Sequence, residues 1–302
     1  MSLRHFLIAL LVPTTWGFGY ALAKSGLEHF RPLLLMGMRF LIAGAVLVWF
    51  VPIPRGYFKK ISIITFIAAT VQYGLTFSGL ARLEATSAVL LAQSEVLFGV
   101  IIAAVMLGEK PSLRQISGMV AAFAGIVTIV GAPSLAGQMT GVVLVLSGCL
   151  VWALGQVMVR GLNGVLSGFQ LTAWLSVMAG PQMLIASLLI EGNPLPSIQT
   201  ASLSDWGTVI YLGIVMTVIG YSAWYYILAR YPVPMAMPLL LFVPISTILG
   251  AITFLGEHPD FRVLMGGMVV IAGVGVVIIE PQLLFRQLRA RTRKSLSAHQ
   301  PH

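Results

Sequence analysis

The sequence predicts an all-α membrane protein of ten transmembrane helices, arranged as two inverted five-helix repeats. Three observations predict it. The first is composition: 58% of the 302 residues are hydrophobic, 9% are charged, and the mean hydropathy is +0.95. A soluble domain carries roughly 25% charged residues, so this chain cannot cover a water-facing surface. The second is segment length, since ten apolar stretches are each long enough to cross ~30 Å of hydrocarbon as a helix. The third is duplication. Leu107-Gly108-Glu109-Lys110-Pro111-Ser112-Leu113-Arg114 returns 148 residues later as Leu255-Gly256-Glu257-His258-Pro259-Asp260-Phe261-Arg262. Eight of the twenty positions from 106 to 125 are identical at that offset.

Taken in order, the spans fall near 6–23, 33–51, 61–80, 86–107 and 116–132, then 140–159, 168–190, 206–228, 234–255 and 263–279. Backbone groups in lipid must pair within the chain, so each is a helix. The first also reads as a signal peptide, because Arg4, an apolar run and Ala21-Leu22-Ala23 mimic its parts. Two features oppose cleavage. Pro13-Thr14-Thr15 interrupts the run, and Trp16-x-x-Gly19 with Lys24 recurs as Trp152-x-x-Gly155 with Arg160 at an offset of 136. The growth from 136 to 148 places about twelve extra residues in the second half, and loop 191–205, rich in Pro, Asn and Ser, is the natural place for them.

The domains follow: 1–135 as the first five-helix repeat, 136–282 as the second, and 283–302 as a basic tail with Arg286, Arg289, Arg291, Arg293 and Lys294. Thirteen loop and tail cations lie on the side of the N-terminus and four on the other, which puts both termini in the cytoplasm. Five helices is an odd number, so successive units face opposite ways. Inverted repeats of this kind build transporters with a substrate site near the midplane. The net charge of +9 then reflects loop cations and headgroup contacts rather than nucleic-acid binding. Cys149 is the single cysteine and excludes an intrachain disulfide.

Among nine acids only Glu95 sits near mid-span, flanked by Gln93 and Ser94. An ionised carboxylate there costs several kcal/mol unless paired, hydrated or protonated. It reads either as a proton, cation or substrate-ammonium site, or as a clamp to a neighbouring helix. Arg39 lies about ten ångströms into the second span and is expected to snorkel to the outer headgroups. Glu109 and Glu257 are expected to bond helix-end amides of the helix that follows each. Trp16, Tyr20, Gln72, Tyr73, Gln93, Trp152, Gln156, Tyr221 and Trp224 lie deep in spans. Together with Glu95 they are the candidate substrate cavity, since buried amides need partners and aromatic walls suit an organic or zwitterionic solute. Pro13, Pro238 and Pro244 are candidate hinges, each freeing a carbonyl and bending its helix. Gly118, Gly125, Gly266 and Gly273, spaced by seven, mark a packing face inside the protein or in a dimer. No Gly-Lys-Ser/Thr phosphate loop, metal constellation or nucleophile triad stands out, so no cofactor is expected.

The paired Leu-Gly-Glu-x-Pro stretches, each followed by Gly and Ala-Gly, together with Arg39-Phe40-Leu41 and Trp-x-x-Gly, resemble the EamA-type branch of the drug/metabolite transporter superfamily over residues 6–280. Glu95 matches the Glu of that family's Glu-Pro, with Val96 in place of Pro, whereas the second copy keeps Pro244 and has Val243 in place of Glu. Within the superfamily the chain is most similar to the YddG-type exporters of aromatic amino acids. That resemblance implies a ten-helix bundle in a bacterial inner membrane, with a cavity lined by helices 1, 3, 4, 6, 8 and 9. The expected activity is secondary export of aromatic or neutral amino acids by alternating access, with proton coupling open, as monomer or homodimer. Rivals are a drug or quaternary-cation exporter, a membrane-embedded enzyme, and a non-transporting scaffold or receptor.

Overall fold

The computed structural model describes residues 3–108, 111–160, 162, 165–231 and 236–278. Ten helices in it are long and apolar enough to span a membrane: α1 (Leu3–His29), α2 (Pro32–Phe50), α3 (Phe58–Leu80), α4 (Ala85–Met106), α5 (Leu113–Val130), α6 (Met139–Arg160), α7 (Gly168–Ile190), α8 (Leu203–Leu228), α9 (Met237–Leu255) and α10 (Phe261–Ile278). Their outer faces are apolar, as lipid requires; Leu189 and Leu113 are more than four-fifths exposed. The basic tail and Glu109 lie outside the described residues.

Packing follows the duplication. α1 packs on α9 and α8, α6 packs on α4 and α3, α2 on α7, and α5 on α10. Exchanging the two halves turns the α1 pairs into the α6 pairs and leaves the α2–α7 and α5–α10 pairs unchanged. Where equivalent helices meet, they cross antiparallel. A Cβ on Gly118 would lie 2.7 Å from the Gly273 carbonyl oxygen, and one on Gly125 would lie 2.6 Å from that of Gly266. Likewise Gly44 faces Val177 while Gly180 faces Leu41. The glycine faces of α5 and α10 are therefore used within one chain, where the missing side chains let two backbones touch.

Departures from regular helix are also paired. α3 widens to a π-helix at Phe66–Val71 and α8 does so at Tyr211–Ile219, segments that overlap at the offset of 148. α4 breaks at Gln93, and α9 starts as a 3₁₀ turn ending at Leu241, the equivalent position. α4 and α9 both end on a left-handed glycine, Gly108 at φ 69° and Gly256 at φ 65°.

One expectation needs correction. The extra residues of the second half are not confined to the loop after α7. α7 and α8 have 23 and 26 residues against 19 and 23 in α2 and α3, and the connection adds the short helix Leu195–Thr200. The three candidate hinge prolines sit in different settings. α1 is continuous through Pro13, and Pro244 sits in the first turn of the α-helix Phe242–Leu255, where no intrahelical N–H is required. Of the three, Pro238 alone lies in a distorted, 3₁₀ segment.

Candidate functional site

A cavity of about 460 Å³ lies between the halves, within the range of small-molecule sites. Every one of the ten candidate residues lines it: Trp16, Tyr20, Gln72, Tyr73, Gln93, Glu95, Trp152, Gln156, Tyr221 and Trp224. The lining respects the repeat. Trp16 and Trp152 are equivalent positions, as are Tyr73 and Tyr221, Phe77 and Tyr225, and Val89 and Met237; all eight face the cavity. The polar groups break that equivalence. Arg39 stands opposite Leu175, Glu95 opposite Val243, Gln93 opposite Leu241 and Thr217 opposite Ala69.

The cavity is deeper toward one end of the bundle. Leu171 and Thr172 from the first turn of α7, Tyr225 from the last turn of α8, Met237 at the start of α9 and Ile278 at the end of α10 carry its lining to the end where α1 begins. Toward the other end the lining stops at Tyr20, Phe77 and Val89. There the rings of Tyr20, Phe77 and Tyr73 stack at 5.8 and 5.7 Å, and Phe40 meets Tyr73 edge-on at 5.1 Å. Above the stack Lys24 Nζ donates to the carbonyls of Leu80 and Ala81 at 3.2 and 3.1 Å, tying α1 to the end of α3. At the same end Glu257 accepts from the amides of Ala85 and Thr86 at 2.6 and 3.1 Å and from the Thr86 hydroxyl at 2.9 Å. Its helix-end role is thus as expected in kind, but the helix is α4 rather than the following α10. Glu191 does the same for α2, accepting from Leu33 and Leu34. Carboxylates at helix N-termini satisfy orphan amides and oppose the positive dipole end.

Arg39 overturns its expectation. It does not snorkel; it is 0% exposed and lines the cavity. Its Nε donates to Thr217 Oγ1 at 2.9 Å, Nη1 points at the Met36 sulfur at 3.7 Å, and the guanidinium lies 5.0 and 5.1 Å from the ring centres of Phe40 and Tyr73. α2 through Arg39 and Phe40, α7 through Leu171, Thr172, Leu175 and Ser176, and α10 through Ile278 join the six helices expected to line the cavity. Tyr225, a further aromatic deep in the eighth span, also lines it, and so do Thr172, Ser176 and Thr217, which were missed. Hydroxyls within an apolar span give no periodic signal, since a helix absorbs them by bonding its own carbonyls; Ser176 Oγ does so with Thr172 O.

The amides are differently placed. Gln72 is 3% exposed; its Nε2 donates to Thr76 Oγ1 at 3.1 Å, while its Oε1 has no partner. Trp16 Nε1 donates to Met216 O at 3.1 Å in the π-helical stretch of α8. Glu95 is half-buried at the start of the second segment of α4, beside the break at Gln93. Among the described residues no three His, Cys, Asp or Glu side chains gather as a metal site.

Ten spans around a cavity walled by both halves, with a few polar groups in an aromatic wall, define a multi-pass membrane transporter of small molecules. The sequence matches the EamA-like transporter family twice, over residues 3–131 and 139–279, and the chain belongs to that family. It is 30% identical over 294 residues to a probable amino-acid metabolite efflux pump of Salmonella typhimurium, covering 91% of this chain and 94% of that protein. It is 27% identical to a probable terminal-alkyne amino-acid exporter of Streptantibioticus cattleyicolor, over 94% and 95% of the two chains. A solved structure titled only as the crystal structure of a protein shares the fold, with a TM-score of 0.65 at 21% identity over 95% of this chain and 99% of that one. The family and relatives' names indicate a transporter rather than an enzyme.

Proposed function

We propose that this chain exports neutral and aromatic amino acids across a bacterial inner membrane by alternating access, with both termini in the cytoplasm. The observation that carries the reading is the cavity itself: one space between two equivalently packed halves, extending to the N-terminal end and closed by rings at the other. With that end in the cytoplasm, as the loop charges favour, this is the conformation that loads substrate from inside. The antiparallel crossings of α5 with α10 and of α2 with α7 support halves of opposite orientation. Inverted halves that exchange shapes would close the inner mouth and open the outer one.

The amino-acid class is supported by the relatives' names and by the lining, which pairs indole and phenol rings with amides, one carboxylate and one guanidinium. The ten candidate residues form the substrate site in this reading. Glu95 is the protonatable group that couples export to a proton gradient, and Pro13, Pro238 and Pro244 are the points about which α1 and α9 flex. Because the glycine faces of α5 and α10 meet within the chain, they do not serve a homodimer.

Proteoliposomes loaded with labelled phenylalanine or threonine test the proposal. Saturable flux above empty liposomes is expected. Flux of cationic dyes without flux of amino acids would favour the drug-exporter reading instead.

A further inference from the structure

We infer that Arg39 is the residue that binds the substrate's carboxylate, restricting this transporter to solutes with a free carboxylate. The inference rests on the amino-acid reading above. A guanidinium taken wholly out of water is strongly destabilising unless an anion or several hydrogen bonds compensate it. Among the described residues, Arg39 forms no ion pair. Its one oxygen partner is Thr217 Oγ1, bound through Nε, and Nη1 faces only the thioether of Met36, a weak acceptor.

That bond is directional. The Thr217 hydroxyl donates its single proton to Leu212 O at 2.8 Å across the π-helical turn, so toward Arg39 it can only accept. The Phe40 and Tyr73 rings flank the guanidinium. Thr217 takes the Nε side, and the terminal nitrogens have no oxygen partner among the described residues; Arg39 is 0% exposed, so a ligand reaches them when the side chains around it part. The planar Nη1–Nη2 end matches a carboxylate and can hold both its oxygens. Glu95 lines the same cavity and is placed to accept from the ammonium group.

A purely structural staple between α2 and α8 is the competing account. The repeat argues against it, because the equivalent contact of α7 with α3 has Leu175 for Arg39 and Ala69 for Thr217 and still packs. The architecture does not require a cation at this crossing. A solute with one negative end does.

The test is binding to the full-length purified protein of L-phenylalanine and of its carboxamide, which differ only at the carboxylate. The wild type should prefer the acid on the order of 30-fold, as for a charge-assisted hydrogen bond. Arg39→Gln should bring the two affinities within about threefold of each other, mainly by weakening the acid. Arg39→Lys should restore part of the preference. Thr217→Val keeps the charge and removes the Nε anchor, and should reduce the preference several-fold, which covers the case in which Arg39→Gln does not fold. A wild type that binds acid and carboxamide equally overturns the inference while leaving amino-acid export standing. So does an Arg39→Gln protein that weakens both ligands alike. A wild type that binds neither ligand overturns both readings.

Discussion

Gly118 of α5 rests against Gly273 of α10 so closely that a Cβ on Gly118 would meet the Gly273 carbonyl oxygen at 2.7 Å, and the equivalent contact is made by Gly266 against the Gly125 oxygen at 2.8 Å. The two contacts are images of each other under exchange of the halves. They join the last helix of each repeat along a seam where the obstacle is backbone, which cannot rotate away.

Gly118→Val or Gly125→Val should therefore lower stability by about 1–3 kcal/mol, the usual cost of overpacking. Gly207→Ala is the opposite case. It sits within α8 with nothing near its absent Cβ, and alanine there should stabilise by about 0.5–1 kcal/mol. Thermal midpoints in detergent should move in opposite directions for the two changes; a shift of the same sign would contradict the packing argument.

Glu257 bonds two orphan amides and one hydroxyl at the start of α4. Glu257→Ala should cost about 1–2 kcal/mol, as for loss of a helix cap. Glu257→Gln, which can still accept with its one oxygen, should fall between. Chemical denaturation of the two variants beside wild type orders them.

Glu84, between α3 and α4, has a buried Oε2 without a partner. Burial raises its carboxyl above the ordinary value of 4.5; the Glu257 and Asp260 carboxylates push the same way, and Lys24 opposes them. A native pKa above the unfolded one means that the folded chain holds the proton more tightly. The stabilisation is complete below the unfolded value and is lost as pH rises through the native one. Wild type should thus lose stability relative to Glu84→Gln as pH climbs above about 4.5, and midpoints measured from pH 4 to 8 should diverge in that sense.

Lys24 ties α1 to the end of α3 beyond the ring stack. Lys24→Met should loosen that end and raise the population open to it. In a Cys149→Ser background, which removes the chain's buried thiol, Val89→Cys at the closed edge of the cavity should then react several-fold faster with a thiol reagent added from outside. An unchanged labelling rate would show that the tie does not hold the closed state.

For Glu95 the readout is flux. If it carries the coupled proton, Glu95→Gln should transport with a rate nearly independent of pH, whereas wild type responds to it. Flux that is equal at acid and alkaline pH in both proteins would remove Glu95 from the coupling.

Ten helices, their order and the duplication could be read from the sequence, because a bilayer imposes one length and one backbone solution on every span. Aromatic and amide residues deep in spans were also legible, since their burial demands partners, and all ten fall on one cavity. What the residues meet was not legible. Arg39 looks in sequence like any cation two turns from a helix end; its place in the wall depends on α8 arriving with Thr217 at its Nε. Glu257 likewise found its amides on α4, 171 and 172 positions away. Hydropathy is a property of one helix and needs no neighbour to be read. A pairing between distant helices depends on how they cross and rotate, and only the packed bundle decides that.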